Sequence, residues 1–201
     1  MSAPEPRASV STRGPVLIVG TGLLGTSLAL ALRAAGVEVL LSDTSPTSLA
    51  LARDMGAGAL HGEDSPEPQV VVVATPPDVA AEVVVAQLSA HPRAVVTDVA
   101  SVQERVVAEV RSRAGAQARR YVGSHPMAGR ERSGAGAADC DLFAGRPWVV
   151  VGQASDPQAE LVIRNLGVAL GAPPGRTGAA EPAAAAHAGH RAHLAGRGHT
   201  P

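Results

Sequence analysis

The chain has 201 residues, with 17 basic and 18 acidic side chains that give a formal net charge of −1. This length is enough for one substantial domain, and the balanced charge leaves no basic stripe to neutralise a phosphate backbone, which argues against a nucleic-acid partner. Apolar runs such as residues 70–74 have strand length, too short for a membrane span, and no signal-peptide pattern opens the chain. We therefore expect a cytoplasmic protein with a small-molecule ligand. Cys140 is the only cysteine, so no internal disulfide is possible.

The predicted elements begin at Pro15, after a lead over residues 1–14 that we expect to be disordered. Short apolar runs then alternate with Ala- and Leu-rich stretches of helical length, which is typical of βαβ units and a parallel sheet. The strands are predicted near residues 16–20, 37–42, 70–74, 94–98, 119–123 and 147–151, and the helices near 23–35, 46–55, 77–89, 102–114 and 156–170. Because the strands are almost wholly apolar, helices should cover both faces of the sheet. The pattern predicts a doubly wound α/β domain over residues 15–170.

The character of the chain changes after Leu170, because residues 171–201 consist mainly of Ala, Gly, Pro, His and Arg. Such a composition cannot build a core, so we predict a low-complexity tail that is either disordered or the product of a reading-frame shift. His187, His190 and His193 recur every three residues, but the surrounding glycines offer no rigid scaffold, and we predict no metal site.

A glycine-rich motif follows the first predicted strand directly and opens the first helix. Gly20, Gly22 and Gly25 form the pattern G-x-G-x-x-G, in which the first glycine permits a tight turn and the second lets the backbone approach a pyrophosphate. The third lets the helix pack close to the strand. The N–H groups at the helix start, around Leu23 and Leu24, would then face the phosphates. The motif predicts a dinucleotide-binding (Rossmann) domain.

Two further positions belong to the predicted cofactor site. Asp43 ends the second strand about twenty residues after the glycine motif, where an acid accepts hydrogen bonds from the adenosine ribose and disfavours a 2′-phosphate, so NAD is expected rather than NADP. The alternative is that Asp43 caps the next helix, although Ser45 is better placed for that. Thr75 and Pro76 follow the third strand, where they would either lie near the nicotinamide ribose or simply start a helix.

The next two predicted strands end in polar residues. Asp98 and Ser101 follow the fourth strand, and Ser124 and His125 follow the fifth, with Pro126 fixing an extended turn after the histidine. Ligands of open α/β sheets lie beyond the carboxyl ends of the strands, so we expect these side chains to converge near the nicotinamide. A purely structural histidine is the alternative interpretation at this point.

Residues 123–134 read GSHPMAGRERSG and resemble the signature G-x-HP-I/M-AG-x-E-x-SG of prephenate and arogenate dehydrogenases. The resemblance covers roughly residues 16–170 and includes the nucleotide motif and the D-x-x-S segment that begins at Asp98. It implies that His125 bonds the ring hydroxyl of prephenate, that Ser101 supports this histidine and the nicotinamide, that Asp98 lies on the cofactor side, and that Ser124 and Glu131 lie at the substrate. One departure is Gln103, where many relatives have Lys.

The resemblance implies an NAD-dependent oxidative decarboxylation of prephenate to 4-hydroxyphenylpyruvate in tyrosine biosynthesis. Hydride leaves the carbinol carbon for NAD, His125 accepts the hydroxyl proton, and loss of CO2 makes the ring aromatic. The family also carries an all-helical domain that forms a homodimer and supplies substrate contacts. Residues 171–201 lack the apolar periodicity of such helices, so we expect an incomplete enzyme.

Three alternatives remain open. This domain does not distinguish arogenate from prephenate as the substrate, because the residues that sense the keto or amino group are expected largely in the helical domain. Another β-hydroxyacid-type dehydrogenase would rely on a Lys base, and this chain has no Lys. A catalytically inactive NAD-binding fragment would bind the cofactor without reducing it.

Overall fold

The structure is a computed structural model that describes residues 14–127, 134–152 and 155–173. The predicted lead, apart from Gly14, and the predicted tail from residue 174 onward lie outside the described residues. None of the described helices combines the length and apolar character that a membrane span needs.

A seven-stranded sheet forms the centre of the described part of the chain. Its strands are β1 (Val16–Val19), β2 (Val39–Ser42), β3 (Ala59–Leu60), β4 (Val70–Val73), β5 (Val95–Asp98), β6 (Tyr121–Pro126) and β7 (Trp148–Val151). The spatial order is β3-β2-β1-β4-β5-β6-β7. All neighbours from β3 to β6 pair in parallel, and β7 pairs with β6 in the antiparallel direction.

Within the described ranges five helices flank this sheet: α1 (Leu23–Ala34), α2 (Pro46–Asp54), α3 (Ala80–Ala90), α4 (Gln103–Ala114) and α5 (Pro157–Ala169). Short 3₁₀ turns occupy Gly115–Arg120 and Ala135–Ala137. Ser45 caps α2 as the sequence predicts, because its hydroxyl accepts a hydrogen bond from the Ser48 N–H, and Asp156 caps α5 in the same way. The N-cap of α1 is Gly22, which offers no side chain for this purpose.

The apolar strands alternate their side chains between two layers. Val16 and Ile18 of β1 face the layer covered by α1, α2 and α5, whereas Leu17 and Val19 face α3 and α4. Burying one such side chain fully contributes roughly 1.5–3 kcal/mol, so coverage of both faces explains why the strands carry almost no exposed polar positions. The helix layers cover the two faces of the sheet, and the carboxyl ends of its parallel strands lie together at one edge that these layers do not cover.

The predicted doubly wound α/β fold is confirmed, with two corrections. The sequence pattern missed β3, whose two residues are exposed and too short for a periodic signal. It also placed every strand in a parallel sheet, whereas β7 is antiparallel. A parallel neighbour requires a crossover connection, usually a helix, but the described part of the link between β6 and β7 contains only a 3₁₀ turn.

A cluster of two histidines and a carboxylate lies on the α3 side of the fold. The rings of His61 and His91 meet edge to face with centroids 5.7 Å apart, and Glu67 Oε1 lies 3.7 Å from His91 Nδ1. Burial lowers the pKa of His61, the nearby His91 lowers this pKa further, and Glu67 acts in the opposite direction. Protonating His61 is therefore less favourable in the folded chain than in the unfolded chain.

The free energy of unfolding should fall as the pH is lowered below 6.5, the ordinary pKa of His61. Between that value and the lowered pKa of the folded state the unfolded chain binds more protons, so the contribution is complete above 6.5 and is lost on acidification. Urea denaturation at a series of pH values, compared between the parent chain and His61→Gln, measures it. In His61→Gln the free energy of unfolding should depend less steeply on pH. Parallel curves for the parent and the variant would contradict a lowered pKa of His61.

Candidate cofactor and substrate site

The glycine motif forms a tight loop between β1 and α1, at the carboxyl edge of the sheet. Gly20 has φ +101°, and a Cβ atom there would lie 2.6 Å from the Ala74 carbonyl oxygen. A Cβ atom on Gly25 would overlap the carbonyl of Gly20. By contrast, a Cβ atom on Gly22 would have nothing within 4 Å. The loop is therefore closely packed against the end of β4 and has open space only at Gly22.

The N-terminus of α1 lies at this open side and, among the described residues, receives no side-chain cap. Its N-cap, Gly22, makes no side-chain cap hydrogen bond, and no acidic residue stands in the first turn. The first N–H groups of a helix have no intrahelical acceptor and carry the positive end of the helix dipole. The arrangement fits an anionic group of a ligand, such as a phosphate.

Asp43 lies directly after β2 and connects that strand to the glycine loop. Its Oδ2 atom accepts hydrogen bonds from the Thr21 N–H at 2.5 Å and from the Thr21 hydroxyl at 2.8 Å. Its Oδ1 atom accepts one from the Ser45 N–H at 2.7 Å. Three donors thus orient a half-buried carboxylate, which keeps acceptor capacity on Oδ1 because each oxygen offers about two lone-pair sites.

Thr75 and Pro76 follow β4 and border the same crevice. Thr75 is half-buried, and its hydroxyl oxygen is buried without a hydrogen-bond partner among the described residues. Pro76 is exposed, and α3 begins only at Ala80, after a turn in which the Val79 N–H donates to the Pro76 carbonyl. The unpaired hydroxyl of Thr75 fits a contact with a ligand, because buried polar atoms are normally paired.

Asp98 is fully buried at the end of β5, and its carboxylate is occupied by donors of the chain itself. Oδ1 accepts from the Ala100 N–H and the Gln103 amide, and Oδ2 accepts from the Tyr121 hydroxyl at 2.5 Å. Burial raises the pKa of Asp98 despite these hydrogen bonds, and burial together with the nearby carboxylate raises the pKa of Tyr121 strongly. The structure thus places this predicted cofactor residue beneath the crevice, where its side chain supports the edge.

Ser124 is also fully buried, contrary to what a residue in direct contact with a ligand requires. Its hydroxyl donates to the Asp98 carbonyl at 2.9 Å and lies 2.9 Å from the Thr97 hydroxyl. These contacts join β6 to β5 inside the sheet. A direct contact of Ser124 with the substrate stays a prediction that this position does not favour.

His125 and Ser101 stand at the same edge of the sheet. β5 and β6 pair in parallel with Asp98 opposite Gly123, so Ser101 lies just beyond one strand and His125 near the end of the other. Ser101 is exposed and His125 is half-buried. The Nδ1 atom of His125 is buried and has no partner among the described residues. The predicted substrate residue Glu131 lies outside the described residues.

Several residues near this edge were not predicted. Tyr121 supports the crevice from below, and so does Gln103, which the sequence marked only as a departure from the family pattern. Their contacts across strands identify these supporting roles. Three large apolar side chains are exposed just beyond β4, β5 and β6, namely Val79, Val102 and Met127. An uncapped helix start, an imidazole and exposed apolar groups at one edge fit a ligand with an anionic part and a flat, weakly polar part.

One group of metal-binding residue types occurs in the described part of the chain. Asp139, Cys140 and Asp141 bring one ligand atom each to within 4.8 Å of one another. The side chain of Asp139 accepts a hydrogen bond from the Asp141 N–H, which is common in turns. No second observation points to an ion, so we assign no metal to this turn.

Comparisons with known proteins show which family this chain resembles. The family described as "Prephenate dehydrogenase, nucleotide-binding domain" matches residues 28–172. The probable prephenate dehydrogenase NovF of Streptomyces niveus is 43% identical over 136 residues, which are 67% of this chain and 37% of that protein. The chain spans between 37% and 43% of the length of the curated relatives it matches.

Two solved structures have the same arrangement of elements. The prephenate dehydrogenase of Aquifex aeolicus in complex with hydroxyphenyl propionate and NAD+ is 28% identical, with a TM-score of 0.71 over 82% of this chain and 59% of that chain. The arogenate dehydrogenase of Synechocystis is 25% identical, with a TM-score of 0.68 over 79% of this chain and 57% of that chain. The chain therefore belongs to the prephenate dehydrogenase family, of which it carries the nucleotide-binding domain.

Proposed function

We propose that this chain is the NAD-binding part of a prephenate dehydrogenase, and that His125 acts on the substrate at the carboxyl edge of the sheet. One observation carries the proposal: the uncapped glycine-lined start of α1 and the half-buried His125 lie on the same edge of one parallel sheet. This arrangement brings a bound dinucleotide and a proton acceptor to one crevice.

The residues around α1 fit NAD. The pyrophosphate would bind the N–H groups at the helix start, over Gly22, with Leu23 and Leu24 in the first turn and with Gly20 and Gly25 shaping the loop. A side chain at position 22 would fill the space that the phosphates need. This backbone site requires no basic side chain.

Asp43 and Thr75 would bind the two ribose groups. The free acceptor capacity of Asp43 Oδ1 suits a ribose hydroxyl, whereas a 2′-phosphate would bring a second negative charge to the same carboxylate. The unpaired Thr75 hydroxyl, beside Pro76, suits the nicotinamide ribose. NAD is therefore the cofactor we assign, and its nicotinamide ring accepts a hydride from the substrate when bound.

His125 would accept the proton of the prephenate ring hydroxyl. Because Nδ1 is buried, we assign Nε2 as the atom that meets this hydroxyl. An imidazole has an unperturbed pKa near neutrality, and a positioned general base contributes roughly 100- to 10,000-fold to the rate. Ser101 would support this histidine and the nicotinamide. Asp98 and Ser124 would act beneath it by holding β5 and β6 together.

The substrate we favour is prephenate, because two of the three matched proteins described above carry that name, with arogenate as the alternative. The relatives extend well beyond the matched region, so turnover would need the rest of their length. Cofactor binding without turnover is therefore the second candidate function. The homodimer and the cytoplasmic location stay predictions.

One prediction of this proposal concerns the cofactor. Titration of the chain with NAD and with NADP should give tighter binding of NAD, and Asp43→Ala should remove most of this preference. Gly22→Ala should lower the affinity for both cofactors by at least about ten-fold, because its methyl group would occupy the space for the phosphates at the start of the helix.

Gly22→Ala is informative because it should not disturb the fold. Gly22 has φ −71°, which alanine adopts readily, and nothing lies within 4 Å of the added atom. Its thermal stability should match that of the parent, whereas the overlap at position 25 should make Gly25→Ala less stable. Unchanged cofactor affinity in Gly22→Ala would contradict phosphate binding at the start of α1. An unchanged preference for NAD over NADP in Asp43→Ala would contradict a contact between Asp43 and the ribose.

Another prediction concerns the reaction. The chain joined after Pro173 to the remaining C-terminal part of the Streptomyces niveus relative should reduce NAD in the presence of prephenate. His125→Asn in this fusion should lower kcat by about 100-fold or more while NAD affinity stays near the parent value, because a general base is lost.

The unfused chain, assayed under identical conditions, is the control for cofactor binding without turnover. Activity of His125→Asn within a few-fold of the parent fusion would contradict the catalytic role. A fusion that binds NAD and folds but never reduces it with prephenate or arogenate would favour the second candidate function.

A further inference from the structure

We propose that Gln103 is a positioning residue, whose side-chain amide sets the separation of Ser101 and His125. The inference rests on the proposed function for the roles of those two residues. The hydrogen bonds of Gln103 are the same whichever reaction the site supports.

Gln103 is the first residue of α4, and its side chain is buried rather than directed to solvent. The residue is 9% exposed. Its Nε2 atom donates to three oxygens: Asp98 Oδ1 at 2.8 Å, the Ala100 carbonyl at 2.7 Å and the Ser124 carbonyl at 2.8 Å. These oxygens come from the end of β5, the turn after it and β6. One amide group therefore joins three segments of the chain.

The two carbonyls belong to the residues that directly precede the proposed catalytic pair. Ala100 is followed by Ser101, and Ser124 is followed by His125. Gln103 thus holds both peptide groups from which these side chains start. A misplacement of about 1 Å in a catalytic group can cost about 100-fold in rate, so a bond at this place affects chemistry more than the same bond elsewhere.

The glycine in β6 is a second and independent observation. A Cβ atom on Gly123 would overlap the Gln103 side-chain oxygen and lie 3.1 Å from a methyl carbon of Val107. Only glycine at position 123 therefore leaves room for the amide between α4 and the sheet. The backbone of β6 and the side chain of Gln103 fit each other.

The hydrogen count at Nε2 suggests an informative variant. An amide nitrogen carries two hydrogens, but three acceptor oxygens surround Nε2 of Gln103. Two of these oxygens therefore share one hydrogen. A lysine ammonium has three donors and the reach to replace it. Gln103→Lys should therefore keep the cross-link, whereas Gln103→Met keeps the length and volume but removes every donor.

The direct test follows the imidazole of His125 in the intact chain labelled at histidine. His125→Asn identifies its resonances among those of the other histidines. In Gln103→Met the His125 resonances should shift clearly, while the resonances of His61 and His91 stay in place. Gln103→Lys should return the resonances toward the parent positions. If Gln103→Met fails to fold, Gln103→Asn, whose amide is one methylene shorter, takes its place.

Arg120→Leu is the matched control. Arg120 donates to three backbone carbonyls, those of Leu88, His91 and Ala94, at the opposite edge of the sheet. Losing these bonds should reduce stability as Gln103→Met does, without moving the His125 resonances. If both variants shift the His125 resonances equally, or if Gln103→Met leaves them at their parent positions, the positioning role is overturned. Gln103 is then only a structural residue.

Kinetics of the fusion enzyme separate this inference from the proposed function. Gln103→Met should lower kcat by roughly ten- to a hundred-fold with unchanged NAD affinity, and Gln103→Lys should recover most of the loss. A kcat that Gln103→Met leaves unchanged would overturn the inference. If the parent fusion is inactive, the proposed reaction fails, and the His125 resonances alone decide whether Gln103 positions this edge.

Discussion

Parallel pairing from β3 through β6 requires every one of these strands to end at the same edge of the sheet. The glycine loop, Asp43, Thr75 and Ser101 follow different strands, and His125 lies near the end of β6. These residues are far apart in the sequence, yet they share this edge because their strands run in the same direction. Because helices cover both faces of the sheet, the edge is where polar side chains are accessible to a ligand. The site is thus a consequence of the strand direction before any side-chain chemistry is considered.

The buried carboxylate of Asp98 shows how the edge is kept rigid. A carboxylate without partners inside a protein is strongly unfavourable, and here no cationic side chain contacts it among the described residues. Three neutral donors from the following turn, from α4 and from β6 compensate for the lost water. Because these donors belong to separate elements, any displacement of one element leaves a buried acceptor unpaired, which costs about 1–3 kcal/mol or more for a charged group. The cost opposes movement of the turn that carries Ser101 and of the strand that carries His125.

The sequence predicted the fold well because its signals are local. Apolar runs, a glycine motif between strand and helix, and Ser45 before Pro46 each report on a few neighbouring residues, and the structure has the corresponding elements. The depth of Asp98 and Ser124 was not predictable in this way. Both are polar residues near strand ends, and whether such a side chain faces the crevice or the interior depends on donors from other elements, which no local pattern contains. The direction of β7 likewise depends on a long connection without helical periodicity.

The two halves of the crevice differ in how complete they are, and this difference bears on what the domain does by itself. At the cofactor half, the start of α1 is shaped entirely by this chain, and Asp43 is already oriented by the Thr21 and Ser45 donors. At the other half, His125 Nδ1 lacks a partner among the described residues, and Val79, Val102 and Met127 expose apolar surface. Unpaired buried nitrogen and exposed apolar groups are both unfavourable unless something covers them. Among the described residues the cofactor half is therefore the more complete one: its uncapped helix start and its oriented carboxylate are formed by this domain itself, whereas the surface around His125 keeps an unpaired nitrogen and exposed apolar groups.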